Sequence, residues 1–507
     1  MKNSHRQAVL IILTVAAINV EATSLKGTRP NVILVMTDDQ GMADLSCMGN
    51  PYMKTPHIDK FYKIATRFTD FQVSPTCSPT RAAILSGRHE FKNGVTHTAS
   101  LRDFLALSTT TFPQLLQKAG YKTGVFGKWH LGELPDYLPG KRGFDEVLIH
   151  GSGGIGQPAD FPPNKENKYF DNVLLHNDQV VQTKGFCTDV FFQAALGWIK
   201  EQHMAKQPYF VCINPNAPHH PNIAPEKSKK RFYDDGWSEG MAGRGGMVEN
   251  IDDNFGVLWS KLNEWKALEN TIVIFMTDNG QSGLPGKASM RNGKLVKVYT
   301  AHFKTGKGTA YEGGTHVPCF WYWKGVLGEG VDIPALTAHI DFFKTFCDLA
   351  GVTIPSDIQP IDGRSLLPLL ENPKAEWPDR KLFVHVGRWA SGTDVETYKY
   401  VNCAVRTGRW RLVMPRTSNA AMRKGKLNND PAQFQLYDIP TDPYEGTNVA
   451  EQHPETVQEL IKAYDRWWTE TVPLMVNEKR KDKERHLHTL YDEALKKGIP
   501  DWTPPTF

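Results

Sequence analysis

The stretch Asn31-Val32-Ile33-Leu34-Val35-Met36-Thr37-Asp38-Asp39 is an apolar, β-branched run that stops on two carboxylates. Three later stretches repeat the pattern. Tyr121–Phe126 runs into Gly127-Lys128-Trp129-His130. Tyr209–Ile213 runs into Asn214 and, after Pro215-Asn216-Ala217-Pro218, into His219-His220. Thr271–Thr277 runs into Asp278-Asn279-Gly280. Short apolar runs closed by polar residues predict buried strands. Helical patterns lie between them. Thr55-Pro56 can cap and start a helix carrying Ile58, Phe61 and Ala65, and Thr111 can cap Phe112–Ala119, which Gly120 stops. Thr188–Glu201 and Met247–Trp265 are further helix candidates.

Strands alternating with helices predict an α/β domain built on a large, mostly parallel central sheet flanked by helices. In such sheets the ligand crevice lies at the carboxyl ends of the strands. Asp38, Asp39, Lys128, His130, His219, Asp278 and Asn279 are therefore expected around one crevice. Any one of them alone would be a turn or cap residue; the repetition at successive strand ends favours a site. After about residue 375 the texture changes. Lys381–Val386, Trp410–Met414 and Gln435–Ile439 resemble short antiparallel strands, and Thr456–Trp468 a helix packed on them. This predicts a catalytic α/β domain over 23–375 and a smaller antiparallel-sheet-plus-helix subdomain over 376–507. The tail Asn477–Lys497 mixes both charge signs, as a solvated helix does.

With 507 residues the chain can bury a large core, and 22% charged with 11% aromatic residues excludes wholesale disorder. A formal charge of +4 is too small to argue for a nucleic-acid partner. Residues 1–22 have the form of a secretory signal: Lys2 and Arg6, then the apolar run Ala8–Ile18, then Val20-Glu21-Ala22. That run is too short to span a bilayer easily, so the mature protein is expected without a membrane anchor, either periplasmic or secreted. The seven cysteines show no zinc spacing, and their odd number leaves at least one unpaired within the chain.

Asp38, Asp39, Asp278 and Asn279 offer hard oxygen ligands, which suit Ca²⁺ or Mg²⁺ better than zinc. Carboxylates crowded without a cation would repel one another. The stretch Pro75-Thr76-Cys77-Ser78-Pro79-Thr80-Arg81 predicts a loop entering a helix, with Pro79 in its first turn. Cys77 then lies at a helix N-terminus, which favours anions, and Arg81 adds a guanidinium fork. Lys128, Lys307, His130 and His219 complete an oxyanion pocket. The set predicts metal-assisted transfer or hydrolysis of a tetrahedral anionic group. Phosphate and sulfate satisfy these requirements equally.

The sequence resembles the type I, formylglycine-dependent sulfatases of the alkaline phosphatase-like superfamily. Cys77-Ser78-Pro79-Thr80-Arg81 matches the C-x-P-x-R signature, and Gly127–Gly132 matches the second. Asn31–Gln40 and Thr277–Gly280 resemble the metal-binding strands. Gly306–Thr309 with Tyr311–Gly314 matches a further block, and Gln435–Ala450 the C-terminal signature. The resemblance implies that a separate sulfatase-maturating enzyme converts Cys77 to formylglycine. The hydrated aldehyde would attack sulfur and form a covalent sulfate ester, which then collapses to aldehyde and sulfate. Asp38, Asp39, Asp278 and Asn279 would hold one Ca²⁺, with residue 77 as a further ligand. Arg81 would stabilise the diol, and Lys128 and Lys307 would clamp sulfate oxygens. His130 would accept the proton that triggers release. His219, favoured over His220 by the family pattern, would protonate the departing alcohol or bind its sulfate oxygen.

The family's usual arginine after Glu-Gly-Gly-x is His316 here, a change expected at a peripheral contact. The segment 286–305 is long and carries Lys287, Arg291, Lys294, Lys297, His302 and Lys304; it is either a lid that reads an anionic sugar or a solvated loop. His150, after the second signature, is a candidate substrate ligand. The leading expectation is an exported, Ca²⁺-dependent sulfatase acting on a sulfated carbohydrate. The alternatives are a phosphate or phosphonate ester hydrolase of the same superfamily and a non-catalytic glycan-binding relative.

Overall fold

Asn31–Thr37 is a strand buried along its whole length. Its side chains alternate between two cores. Val32, Leu34 and Met36 enter one, and Ile33 and Val35 enter the other. A strand covered on both faces needs a continuous apolar run, as this segment has. The computed structural model describes residues 24–157, 160–162, 168–282, 288–481 and 485–507. The expected signal segment 1–22 lies outside the described residues.

A ten-stranded sheet forms around this strand. Named by first residue, the strands run Asp332, Thr66, Cys319, Thr271, Asn31, Tyr209, Lys122, Glu146, Val173, Gln179. The central strands from Thr271 to Glu146 are mutually parallel; the pairs outside them are antiparallel except at the edge, where Asp332–Ile333 runs parallel to Thr66–Phe68. One face is covered by the helices Cys77–Ser86, Phe112–Lys118 and Phe342–Ala350, the other by Pro56–Ile64, Cys187–Met204 and Glu239–Glu264. Register positions the site. Thr37 pairs with Thr277, so Asp38-Asp39 and Asp278-Asn279 leave the sheet side by side.

The smaller sheet is antiparallel, with strands Leu382–His385, Cys403–Arg406, Trp410–Val413 and Gln435–Asp438 in that order. The helix Pro454–Thr471 lays Tyr464, Trp467 and Trp468 on it, and Trp467 stacks on Phe383 at 5.0 Å. The strand Cys403–Arg406, which the sequence reading lacks, is buried at all four positions and so shows no alternation. The helix His486–Lys497 is present, with Leu487 buried in the first core, and Trp502 N–H donates to Gln182 O on the large sheet's edge strand.

The helix expected over 247–265 begins at Glu239 instead. Gly243 and Gly245 suggest a loop, but they serve close packing. A Cβ at Gly243 would fall 2.0 Å from Asn222 O, and one at Gly245 2.1 Å from the Phe232 ring. None of the seven cysteines forms a disulfide. Within 286–305, Ala288–Arg291 and Lys294–Lys297 form a hairpin. It docks on the Trp237–Ser238 segment, with Arg291 over the Trp237 ring at 5.1 Å.

The two sheets meet through a buried charge network. Glu312 accepts from Arg406 at 2.9 Å, Arg411 at 2.6 Å and Gln72 at 3.1 Å. His316 belongs to it. Its Nε2 lies 2.8 Å from Thr69 O and its Nδ1 2.9 Å from Glu312 Oε2. Both partners are acceptors, so His316 is held as imidazolium. Burial opposes that charge, but Glu312 and Asp70 outweigh it and raise the His316 pKa. The stabilisation is complete below the unfolded histidine value of about 6.5 and is lost as pH rises through the higher folded value. His316→Gln should remove that alkaline limb from a plot of Tm against pH; parallel curves for wild type and variant would contradict this. Glu312→Ala leaves two buried guanidinium groups short of a partner and should cost about 3–5 kcal/mol, measurable by denaturant unfolding.

Candidate active site at the strand ends

Four side chains from two adjacent strand ends converge with none of their surface exposed: Asp38, Asp39, Asp278 and Asn279. Asp39 adopts φ +67°, a left-handed conformation that an aspartate tolerates better than a β-branched residue does. Its backbone is anchored on both sides. Its N–H donates to Asp278 Oδ1 at 3.2 Å, and its carbonyl accepts from Arg244 Nη2 at 3.0 Å and Ser282 N–H at 3.1 Å. Arg244 is itself ion-paired to buried Asp44, which also accepts from Gln281 at 2.7 Å.

Three cationic side chains neutralise this cluster from different elements. Lys128, at the end of its strand, donates to Asp38 Oδ2 at 2.7 Å. Arg81, from the Cys77–Ser86 helix, donates to Asp278 Oδ2 at 3.2 and 2.8 Å and to Lys128 O at 2.9 Å. Lys307 lies 2.5 Å from Asp39 Oδ1. Even so, Asp38 Oδ1, Asp39 Oδ2 and Asn279 Oδ1 are buried without a hydrogen-bond partner. Burial, helped by the neighbouring Asp278 and Asp39, pushes Asp38 well above the usual carboxylate range despite Lys128. Asp39 is buried too, but Lys307, His219 and Lys128 outweigh that and hold it well below. Unpartnered oxygens of carboxylate and amide type are the donor set of a hard divalent cation, and buried polar atoms are rarely left unbonded otherwise.

Cys77 is the first residue of its helix and is 2% exposed. Oxygens of Asp38 and Asp278 and the Cys77 Sγ lie within 4.8 Å of one another. Burial raises the thiol pKa, but Lys128 and Lys307 outweigh it and lower it overall. Lys307 Nζ is 3.9 Å from Sγ. His130 Nδ1 is 3.4 Å from Sγ, and His130 Nε2 is 2.9 Å from Thr98 O. A carbonyl only accepts, so Nε2 carries the hydrogen and Nδ1 turns its lone pair to residue 77. His219 Nδ1 is 2.7 Å from His220 O by the same logic, and its Nε2 lies 3.7 Å from Asp39 Oδ2. Burial lowers the pKa values of His130 and His219 to about 3 and about 2.

A cavity of about 620 Å³ opens over Cys77, His130, His219 and Lys307. His150 does not line it. It ends the strand Glu146–His150, pairs in register with Lys128, is 1% exposed, and donates Nδ1–H to Gly151 O at 2.7 Å. The described part of segment 286–305 does not line it either. The mouth instead takes Arg388 and Trp389 from the smaller sheet's side and His97 from the loop before the second signature. Arg388 follows a strand end, as the sequence-predicted site residues do, and only the change of domain texture hid it.

Residues 30–352 match the family model described as Sulfatase, and residues 302–467 match the one described as N-sulphoglucosamine sulphohydrolase, C-terminal. The chain is 32% identical to the N-acetylgalactosamine-6-sulfatase of Rattus norvegicus over 397 residues, covering 73% of this chain and 71% of that protein. It is 29% identical to the arylsulfatase A of Homo sapiens over 465 residues, covering 85% and 86%. The crystal structure of Ps i-CgsB in complex with k-i-k-neocarrahexaose has the same fold, with a TM-score of 0.73 at 24% identity over 93% of this chain and 98% of that one. With the family model spanning most of the large domain, the chain belongs to the sulfatase family, the sulfuric ester hydrolases of the alkaline phosphatase-like fold.

Proposed function

We propose that the protein is an exported, Ca²⁺-dependent sulfatase that hydrolyses a sulfate ester of a sulfated carbohydrate, with Cys77 matured to formylglycine by a sulfatase-maturating enzyme. One observation carries this reading. Cys77, at a helix N-terminus, has its Sγ within 4.8 Å of oxygens of Asp38 and Asp278 and 3.9 Å from Lys307 Nζ, beside a cluster in which one oxygen each of Asp38, Asp39 and Asn279 lacks a partner. A sulfated carbohydrate is supported by the names of relatives. One is the N-acetylgalactosamine-6-O-sulfatase of Bacteroides thetaiotaomicron, 27% identical over 504 residues. N-acetylgalactosamine 6-sulfate is therefore the first substrate to try. Export is supported by the form of residues 1–22; among the described residues no helix is long and apolar enough to cross a membrane. We assign 23–375 to the catalytic domain and 376–507 to the subdomain that completes the mouth.

Asp38, Asp39, Asp278 and Asn279, with residue 77, would hold the calcium ion, and their unpartnered oxygens fit it. The ion supplies Lewis-acid charge at the sulfate, and the matured residue 77 supplies the nucleophile. Overall, R–O–SO₃⁻ and water give R–OH, SO₄²⁻ and one proton. The chain's own groups set the rest. Lys128 and Lys307 place positive charge where sulfate oxygens gain negative charge. His130 Nδ1 is oriented to take a proton from residue 77, because Thr98 O fixes the other nitrogen. His219 holds Nδ1–H on His220 O, so the neutral ring that burial favours presents a lone pair at Nε2, and it can donate to the leaving oxygen only after taking up a proton as the anionic substrate binds.

Sulfate release tests the reading directly. Protein co-expressed with a formylglycine-generating enzyme, given Ca²⁺ and sulfated oligosaccharides, should release sulfate. Cys77→Ala should lower the rate by at least about 10³-fold. A matched phosphate ester should be turned over more slowly; the reverse order would favour the phosphate or phosphonate hydrolase. Inert protein with formylglycine confirmed by peptide mass would sink the substrate class. Lys307→Ala should lower kcat by about 10²–10³-fold, and an unchanged kcat would remove Lys307 from the sulfate clamp.

A further inference from the structure

The cavity over Cys77 carries more positive charge than one sulfate uses. Its described lining includes Arg102, Lys307, Arg388 and four histidines, and no aspartate or glutamate. Two of the three cations are already paired. Lys307 lies 2.5 Å from Asp39. Arg102 lies 3.4 Å from Glu478 and donates to Trp389 O at 2.6 Å. Arg388 has no carboxylate partner among the described residues. It makes one long hydrogen bond, Nη2 to Thr98 Oγ1 at 3.5 Å, and its Nε is buried without a partner.

The backbone on both sides of Arg388 is fixed by its neighbours. Trp389 is 1% exposed and donates Nε1–H to Glu478 at 2.8 Å. Gly387 is pressed onto Thr96, so that a Cβ there would fall 1.8 Å from Thr96 O. A Cβ at Gly308 would lie 3.7 Å from Arg388 Nη1, which sets the guanidinium beside the residue that follows Lys307. His97 shares the cavity lining, and its buried Nδ1 also has no partner. Burial and the positive field of Arg102 and Arg388 lower its pKa to about 3, which leaves it a neutral hydrogen-bonding group. A partly desolvated guanidinium without an anion is costly unless a ligand supplies one.

We propose that Arg388 receives a second anionic group of the substrate, a carboxylate or a second sulfate, so that the natural substrate is a saccharide with at least two anionic groups near the scissile ester. This rests on the sulfatase reading for the scissile group, but binding can be tested without turnover. Calorimetry on Cys77→Ala protein would use three probes. They are a hexosamine 6-sulfate, the hexosamine N,6-disulfate, and a disaccharide of the hexosamine 6-sulfate with a uronic acid. At least one dianion should bind tenfold or more tighter than the monoanion. Whichever does so identifies the second group as sulfate or carboxylate. Adding Arg388→Gln should erase that advantage, and Arg388→Lys should restore part of it. Equal binding of monoanion and dianions would overturn the proposal. So would an equal loss for all three probes with Arg388→Gln, which would put Arg388 on the scissile sulfate. If the preference is found but the matured wild type releases no sulfate, the hydrolase reading fails and the second-anion site stands.

Discussion

The structure turns on a cluster of carboxylates that water cannot reach. Asp38, Asp39 and Asp278 are fully buried in adjacent strand ends, and burial makes each charge expensive. Arg81, Lys128 and Lys307 each neutralise one of them from a different element, and so fix the helix, the neighbouring strand and the following loop against the sheet. What stays unsatisfied is oxygen: one atom each on Asp38, Asp39 and Asn279. The same constraint that orders the fold therefore gathers unpartnered oxygens of defined chemistry in the cluster beside Cys77. The parallel register between Thr37 and Thr277 is what brings those donors together.

The large sheet and the smaller one divide the work. All the residues assigned to chemistry lie on the large sheet's strand ends, on the helix that begins at Cys77, or on the loop carrying Lys307. The smaller sheet's side contributes the rim, through Arg388 and Trp389, and is held to the large one by the Glu312 network. A reactive centre on a rigid sheet with a rim from a second unit lets the rim vary without disturbing the centre. His316 belongs to that joint and not to the cavity, which agrees with its peripheral placement in the sequence.

Much of the candidate site is legible in the sequence because its residues end long apolar runs, and a run of seven buried residues is a strong signal. Caps were equally readable: Thr111 and Gln114 close the turn that starts the Phe112 helix. The failures have physical causes. Gly243 and Gly245 signal a break in isolation, yet they are required where the helix touches Asn222 and Phe232. His150 is a different case: it ends a strand as expected and bonds Gly151 O through Nδ1, while its buried Nε2 has no partner and it does not line the cavity over Cys77. Arg388 lies past the change of domain texture, after a strand of only four residues, and its lack of a carboxylate partner shows only in the structure.

The function of these strand ends depends on the buried oxygens being ligands. Calorimetric titration of Ca²⁺ into chelator-treated protein tests this most directly. One ion should bind per chain, and Asn279→Ala, which removes one unpartnered oxygen, should weaken that binding by tenfold or more while the protein stays folded. Absence of saturable binding, or affinity unchanged by Asn279→Ala, would contradict the assignment of these strand ends as a cation site.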